Sequence, residues 1–137
     1  MSGGLLFDTC AIIYISTGLG INADVRSRIL ELAEGGETWV SPISAWELGK
    51  AMALGRLRST LGPLEFYEEF AERMGSRVCH LTARALVDSS FLPLLAHKDP
   101  MDRILIASAR EQDLAIVTND RAILAYGAAG HVKVLEC

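Results

Sequence analysis

The sequence runs to 137 residues, 50% hydrophobic and 22% charged, with a formal net charge of −4 at neutral pH. A chain of this length buries about two-thirds of its unfolded surface, so it needs neither a disulfide nor a structural metal to hold a fold; its three cysteines, Cys10, Cys79 and Cys137, show no CxxC or zinc-type spacing. The net acidity excludes a protein that coats nucleic acid through a broadly basic surface, but not an enzyme that grips a few phosphates.

The start MSGGLLFDT has neither the basic region nor the long apolar stretch of a secretory signal, and no apolar run approaches the roughly 18 residues of a membrane span. The expectation is a cytoplasmic protein with reduced thiols and no membrane association.

In chain order, Leu5 to Phe7 is a short apolar run ending at Asp8, after which Ala11, Ile12 and Tyr14 follow a helical pattern. Asn22 is placed to cap a second helix carrying Val25, Ile29, Leu30 and Leu32, stopped by Gly35 and Gly36. Thr38 to Val40 reads as a strand, and Pro42 and Ser44 open a helix through Trp46, Leu48 and Met52 that ends at Gly55. An amphipathic helix follows from about Leu64 to Met74, then a strand near Val78 to Leu81 and a helix started by Thr82, with a stop at Pro93. Asp99 is an N-cap with Pro100 at the first helical position, and Ile104, Leu105, Ala107 and Ser108 give that helix a mostly apolar face. Ala115 to Thr118 is a buried type of strand, Asp120 starts a short helix ending at Gly127, and Val132 to Leu135 is a last strand. This alternation predicts one α/β domain over residues 1–137, three layers around a mainly parallel sheet, with no internal repeat or linker.

In such a sheet, ligands collect beyond the carboxyl ends of the strands, where the strand order reverses. Asp8 and Asp120 follow predicted strands directly, while Glu47 and Asp102 fall in the first turn of helices that start on that side. Four carboxylates brought together raise one another's pKa, a conflict that a divalent cation removes. Oxygen-only donors, with no His or Cys partner, favour Mg²⁺ or Mn²⁺ over zinc, and a pair of such ions about 3.5–4 Å apart suits hydrolysis of a phosphodiester. Local roles compete with this reading. Ser44-x-x-Glu47 is a complete capping box, and Asp102 and Asp120 near helix N-termini are also explained by the helix dipole.

Three phrases, LLFDTCAIIY, VSPISAWELGKAMALGRLR and HKDPMDRILIASAREQDLAIVTNDRAILAYG, in this order and spacing, resemble the PIN-domain family and in particular its VapC-like toxin branch. The resemblance spans most of the chain. It implies a three-layer α/β/α fold around a parallel sheet and a Mg²⁺- or Mn²⁺-dependent endoribonuclease that cleaves RNA by in-line attack of an activated water. It also implies a homodimer held inactive by a cognate antitoxin. The family's four acids fall on Asp8, Glu47, Asp102 and Asp120, which become both the catalytic and the metal-ligating residues. Met101 stands where close relatives carry Phe, an exchange of large apolar residues that leaves the helix start intact.

Asp99 competes with Asp102 within the same phrase, but its N-cap position before Pro100 assigns it to capping. Thr9 and Thr118 place hydroxyls beside the acids, where they orient a carboxylate or a bound water, or make local turn bonds. Lys50, Arg56 and Arg58, together with Lys98, Arg103 and Arg121 beside the acids, are candidate contacts to RNA phosphates or to an acidic antitoxin segment; the competing role is a solvated helix face. His97, before the Asp99 cap, is a candidate substrate contact but is read first as an incidental loop histidine, and Trp46 and Tyr14 as core or interface residues before base-stacking ones. Helical segments 45–57 and 64–74 carry more apolar surface than one side of a small sheet needs, which also predicts the homodimer. The alternative of a different class is a receiver-like module that binds Mg²⁺ and accepts a phosphoryl group on Asp. That module needs adjacent acids after the first strand and an Asp at the end of the third, whereas Asp8 is followed by Thr9 and the middle of the chain offers Glu47 on a helix.

Overall fold

A computed structural model describes residues 3–18 and 21–137. In chain order the elements are β1 (Leu5–Phe7), α1 (Thr9–Thr17), α2 (Ala23–Glu34), β2 (Thr38–Val40), α3 (Pro42–Ala53), α4 (Pro63–Met74), β3 (Arg77–Val78), α5 (Ala83–Asp88), α6 (Pro100–Gln112), β4 (Ala115–Thr118), α7 (Arg121–Ala128) and β5 (Lys133–Glu136). The five strands form one sheet in the order β3-β2-β1-β4-β5, and every pairing is parallel. The chain therefore begins at the centre, moves outward to β2 and β3, and returns to the far side of β1 as β4. The reversal lies between β1 and β4, whose carboxyl ends carry Asp8 and, after Thr118 and Asn119, Asp120.

Strand alternation divides the core into two layers. Leu6 of β1 and Ile116 of β4, partners in the register, face Leu105, Ile106, Ile123 and Tyr126 of α6 and α7. Leu5, Phe7 and Val117 face the other way, onto Ile12, Ile29, Leu48, Phe66 and Phe70 of α1 to α4. Phe7 and Phe70 meet edge to face with centroids 5.0 Å apart, and burying each ring contributes about 1.5–3 kcal/mol of transfer free energy. Where α7 crosses β5, Gly127 allows the close approach, since a Cβ there would collide with Val134. The three-layer α/β/α arrangement with a parallel sheet is the expected one.

Caps fix where the helices begin. Asn22, Thr82, Asp99 and Asp120 each accept a backbone N–H from the first turn of α2, α5, α6 and α7, as their sequence positions predict. The start of α3 differs from expectation. Its N-cap is Ser41, whose hydroxyl accepts from the Ile43 N–H, and Pro42 takes the first helical position. Ser44 thus lies inside the helix and Glu47 in its second turn, so the capping box read across these two residues does not form. At the edges, β3 is only Arg77–Val78, earlier and shorter than the predicted Val78 to Leu81, and β5 is shifted by one residue to Lys133–Glu136. Among the described residues no helix is long and apolar enough to cross a membrane, and all three cysteines are free.

Candidate active site

The end of β1 delivers Asp8 into the interior. Its side chain is 4% exposed, its backbone N–H is bound to the Val117 carbonyl of β4 at 3.1 Å, and its Oδ1 accepts from the Ala11 N–H at 2.7 Å as the N-cap of α1. Burial is the main reason its carboxyl is pushed up to about 7; the Thr118 hydroxyl and the Ala11 N–H oppose this, and the charges of Asp102 and Glu47 add to it. The buried Thr118 also accepts the Asp120 N–H at 2.9 Å. One hydroxyl at the end of β4 therefore ties Asp8 to the start of α7, where Asp120 Oδ1 accepts from the Ile123 N–H at 3.0 Å.

Glu47 reaches the same place from α3. Its Oε1 accepts from Thr9 Oγ1 at 2.6 Å, and Thr9 Oγ1 lies 3.0 Å from Ser44 Oγ, which is fully buried one turn before Glu47. The cross-helix hydroxyl pair, not a local cap, holds this carboxylate. Burial raises the Glu47 pKa, the Thr9 bond lowers it, and Asp102 and Asp99 raise it further. Asp102 projects from the first turn of α6, and its Oδ2 is 2.7 Å from His97 Nε2. Its pKa is raised chiefly by burial, against the His97 bond. One ligand atom each from His97, Asp102 and Asp120 lies within 4.8 Å of the others.

The charges of all four acids reach one neighbouring thiol. The Cys10 thiol is pushed up to about 12, by burial first and then by the negative charge of Asp8, Asp102, Glu47 and Asp120. That thiol is inert at neutral pH. The donor set, four carboxylates with a histidine among them, fits a divalent cation: raised carboxyl pKa values are the penalty for crowding these groups without a countercharge, and a cation relieves it.

The remaining predicted residues divide by what their side chains touch. Asp99 caps α6, accepting from the Met101 N–H at 2.9 Å. Arg103 is drawn away from the acids: Nε donates to the Ser89 carbonyl at 2.7 Å, and one terminal nitrogen donates to the Leu95 and His97 carbonyls at 3.1 and 2.9 Å. It clamps the α5–α6 loop onto α6. Lys50 lies 5.2 Å over the exposed Trp46 ring, and Arg56, Arg58, Lys98 and Arg121 are exposed. Two residues at the site had been given other roles from sequence, His97 as incidental and Ser44 as a cap. Ser44 meets Thr9, 35 residues away, through tertiary packing, while His97 and Asp102 are five residues apart and are brought together by the loop that Arg103 clamps.

Comparisons with known proteins agree with the fold. VapBC2 from Rickettsia felis, bound to a DNA fragment from its promoter, superposes with a TM-score of 0.70 at 14% identity, covering 96% of this chain and 97% of that one. DNA-bound VapBC from Salmonella typhimurium gives 0.67 at 17% identity, over 99% and 98% of the two chains. A toxin-antitoxin complex from Klebsiella pneumoniae gives 0.56 at 19% identity, over 85% and 87%. At these identities the likeness is one of fold. Comparison with curated proteins returns no significant sequence match. The PIN domain family model matches residues 5–128, the whole path from β1 to the end of α7, and on that match the chain belongs to the PIN domain family.

Proposed function

We propose that this protein is a metal-dependent endoribonuclease acting as the toxin of a toxin–antitoxin pair, with Asp8, Glu47, Asp102 and Asp120 as its catalytic, metal-holding residues. The observation that carries the reading is that Asp8, buried at the strand-order reversal with its pKa displaced to about 7, feels the charges of Asp102 and Glu47, while one donor atom each from Asp102, Asp120 and His97 lies within 4.8 Å of the others. Support for the toxin role comes from the VapBC and toxin-antitoxin complexes whose fold this chain shares.

A bound Mg²⁺ or Mn²⁺ supplies the charge that activates water and stabilises the leaving oxygen in phosphodiester hydrolysis. The chain's own residues prepare for it. Asp8 and Asp120 are held at fixed positions by Thr118 and by the N–H groups of α1 and α7. Thr9 and Ser44 lock Glu47, so the carboxylates need little rearrangement before acting. Lys50, Arg56, Arg58, Lys98 and Arg121 are the contacts proposed for RNA phosphates or an antitoxin segment, while Arg103 serves them by holding the loop. The receiver alternative is not favoured. Its flavodoxin-like strand order is 2-1-3-4-5, against 3-2-1-4-5 here, and β3 ends at Val78 with Cys79 following, not an acid.

Labelled single-stranded RNA, incubated with the protein and Mn²⁺ or Mg²⁺, should be cut; EDTA should stop the reaction and excess ion restore it, with DNA of the same sequence as a parallel arm. Cutting insensitive to EDTA, or none with either ion, rejects the reading. A homodimer belongs to the same proposal: Trp46 and Leu54 at α3 and Leu64 of α4 are each more than half exposed, an apolar surface that a second copy would cover. Sedimentation showing only monomer at micromolar concentration rejects it. The antitoxin is proposed to place an Arg or Lys beside the acids, where a side-chain cation substitutes for the metal; a complex with that site open overturns this.

A further inference from the structure

We infer that His97 is itself a ligand of the metal site, giving the acidic cluster a nitrogen donor that biases it toward Mn²⁺ and other first-row transition ions over Mg²⁺. The inference rests on the metal-dependent reading above and departs from the all-oxygen donor set expected from sequence. Among the described residues, the acids do not form the tightest grouping of ligand atoms by themselves. It is His97, Asp102 and Asp120, with one donor atom from each lying within 4.8 Å of the others. Donors around a small cation at about 2.0–2.2 Å are separated by roughly 3–4.5 Å, so these three side chains can share one ion once the direct His97–Asp102 hydrogen bond at 2.7 Å opens slightly to admit it.

The backbone that carries the ring is also held in place. Arg103 donates to the His97 carbonyl at 2.9 Å and to two other carbonyls of the same loop. Arg103 directly follows Asp102 on α6, so one turn of helix fixes both the carboxylate and the backbone of its histidine partner. His97 Nε2, 2.7 Å from Asp102 Oδ2, is the nitrogen aimed at the acids. The imidazole is partly buried, with a quarter of its side-chain surface exposed, as suits a ligand at the mouth of a site open to a polymer. A solvated loop histidine would need none of this anchoring. Imidazole binds first-row transition ions better than it binds Mg²⁺, which prefers oxygen donors and retained water.

The test reads the metal directly. Metal-free protein loaded with Mn²⁺ and examined by pulsed EPR should show nitrogen modulation of the imidazole type, absent in His97→Ala. Of the other two histidines, His131 stacks on Tyr126 and its carbonyl accepts from Arg110, near the end of α6 remote from Asp102, and His80 follows the edge strand β3, two strands away from β1. Titration calorimetry on the same proteins should show Mn²⁺ affinity falling about tenfold or more in His97→Ala and Mg²⁺ affinity changing less, so that the Mn²⁺ preference shrinks. Retained Mg²⁺ binding reports that the variant is folded. Mn²⁺ bound without nitrogen modulation, with equal affinity in both proteins, makes His97 only an orienting partner of Asp102 and overturns the inference while the nuclease reading stands. If the unaltered protein binds neither ion at millimolar concentration, both fall together.

Discussion

Helices α1 and α6 begin on the same device, an aspartate whose carboxylate accepts a backbone N–H from the first turn. At α1 the cap is Asp8, buried to 4% exposure; at α6 it is Asp99, which is exposed to solvent. The two caps are alike in hydrogen-bond geometry and differ in what lies behind them. Asp8 sits at the end of a central strand, facing Asp102 and Glu47. Asp99 is exposed, and the role proposed for the site falls to Asp102, three residues on. Capping therefore does not separate a structural aspartate from a functional one. Burial among like charges is what marks the candidate, because leaving such a carboxylate uncompensated costs stability that a bound cation would restore.

The largest expected effect breaks the likeness between the two starts. Asp8→Asn and Asp102→Asn keep side-chain shape, and Asn remains a good N-cap at position 8. RNA cleavage should nonetheless fall by roughly two orders of magnitude or more, since a charge needed in the transition state is gone. The metal-free variants should melt at the same temperature as the parent or slightly above it, because repulsion is relieved. Variants that melt early but still cut RNA would return both residues to a purely structural role.

The pH dependence of stability sharpens the same contrast. Asp8 has an ordinary carboxyl pKa of 3.8 and one of about 7 in the folded protein, so between these values the folded state binds more protons than the unfolded. Stability of the metal-free protein must then fall as pH rises from about 4 to about 7, and level off above that as far as this group is concerned. Three pH units correspond to about 4 kcal/mol. Glu47 and Asp102, raised in the same direction, add to the slope. Chemical denaturation across this range should show the decline in the parent and a flatter profile in Asp8→Asn. A parent more stable at pH 7.5 than at pH 5 without metal would contradict the burial of an uncompensated carboxyl. Metal binding should strengthen over the same range, because the ion competes with the proton.

What could be read from sequence and what could not follow from the range of each interaction. The caps Asn22, Thr82, Asp99 and Asp120 act within three residues of themselves, and the apolar runs at β1, β2 and β4 need only their own composition; all were legible. The strand alternation also placed Asp8 and Asp120 on one edge of the sheet. Glu47 was found as a residue but misplaced by a turn. Ser41 and Ser44 are both good caps, and Pro42 at the first helical position decides for Ser41. The bond that holds Glu47 comes from Thr9, 38 residues away; the sequence marks Thr9 as able to orient a carboxylate, and only the tertiary packing assigns it to Glu47. His97 was discounted because its partner is set by how the loop folds back under Arg103. Edge strand β3, two exposed residues paired only to β2, has too little apolar alternation to announce its limits.

The smallest effect, and the control for the others, lies at Asp99. Deleting an N-cap costs about 0.5–2 kcal/mol, and Asp99→Ala removes the carboxylate that accepts from Met101 and, more weakly at 3.4 Å, from Asp102. A second contribution has the opposite sign. The Asp99 charge raises the carboxyl pKa values of both Asp102 and Glu47, so its removal eases crowding in the metal-free site. For exposed charges this relief is a few tenths of a kcal/mol, so the cap loss dominates. Melting should fall by about 2–5 °C, as about 1 kcal/mol corresponds to in a domain of this size. Asp99→Asn separates the two contributions: it keeps the cap, loses the charge, and should melt within about 1 °C of the parent or just above it. Both variants should cut RNA within a few-fold of the parent, because neither changes a carboxylate assigned to the metal. An unchanged melt with a hundredfold loss of cutting in Asp99→Ala would move Asp99 into the site and erase the distinction between the two helix starts.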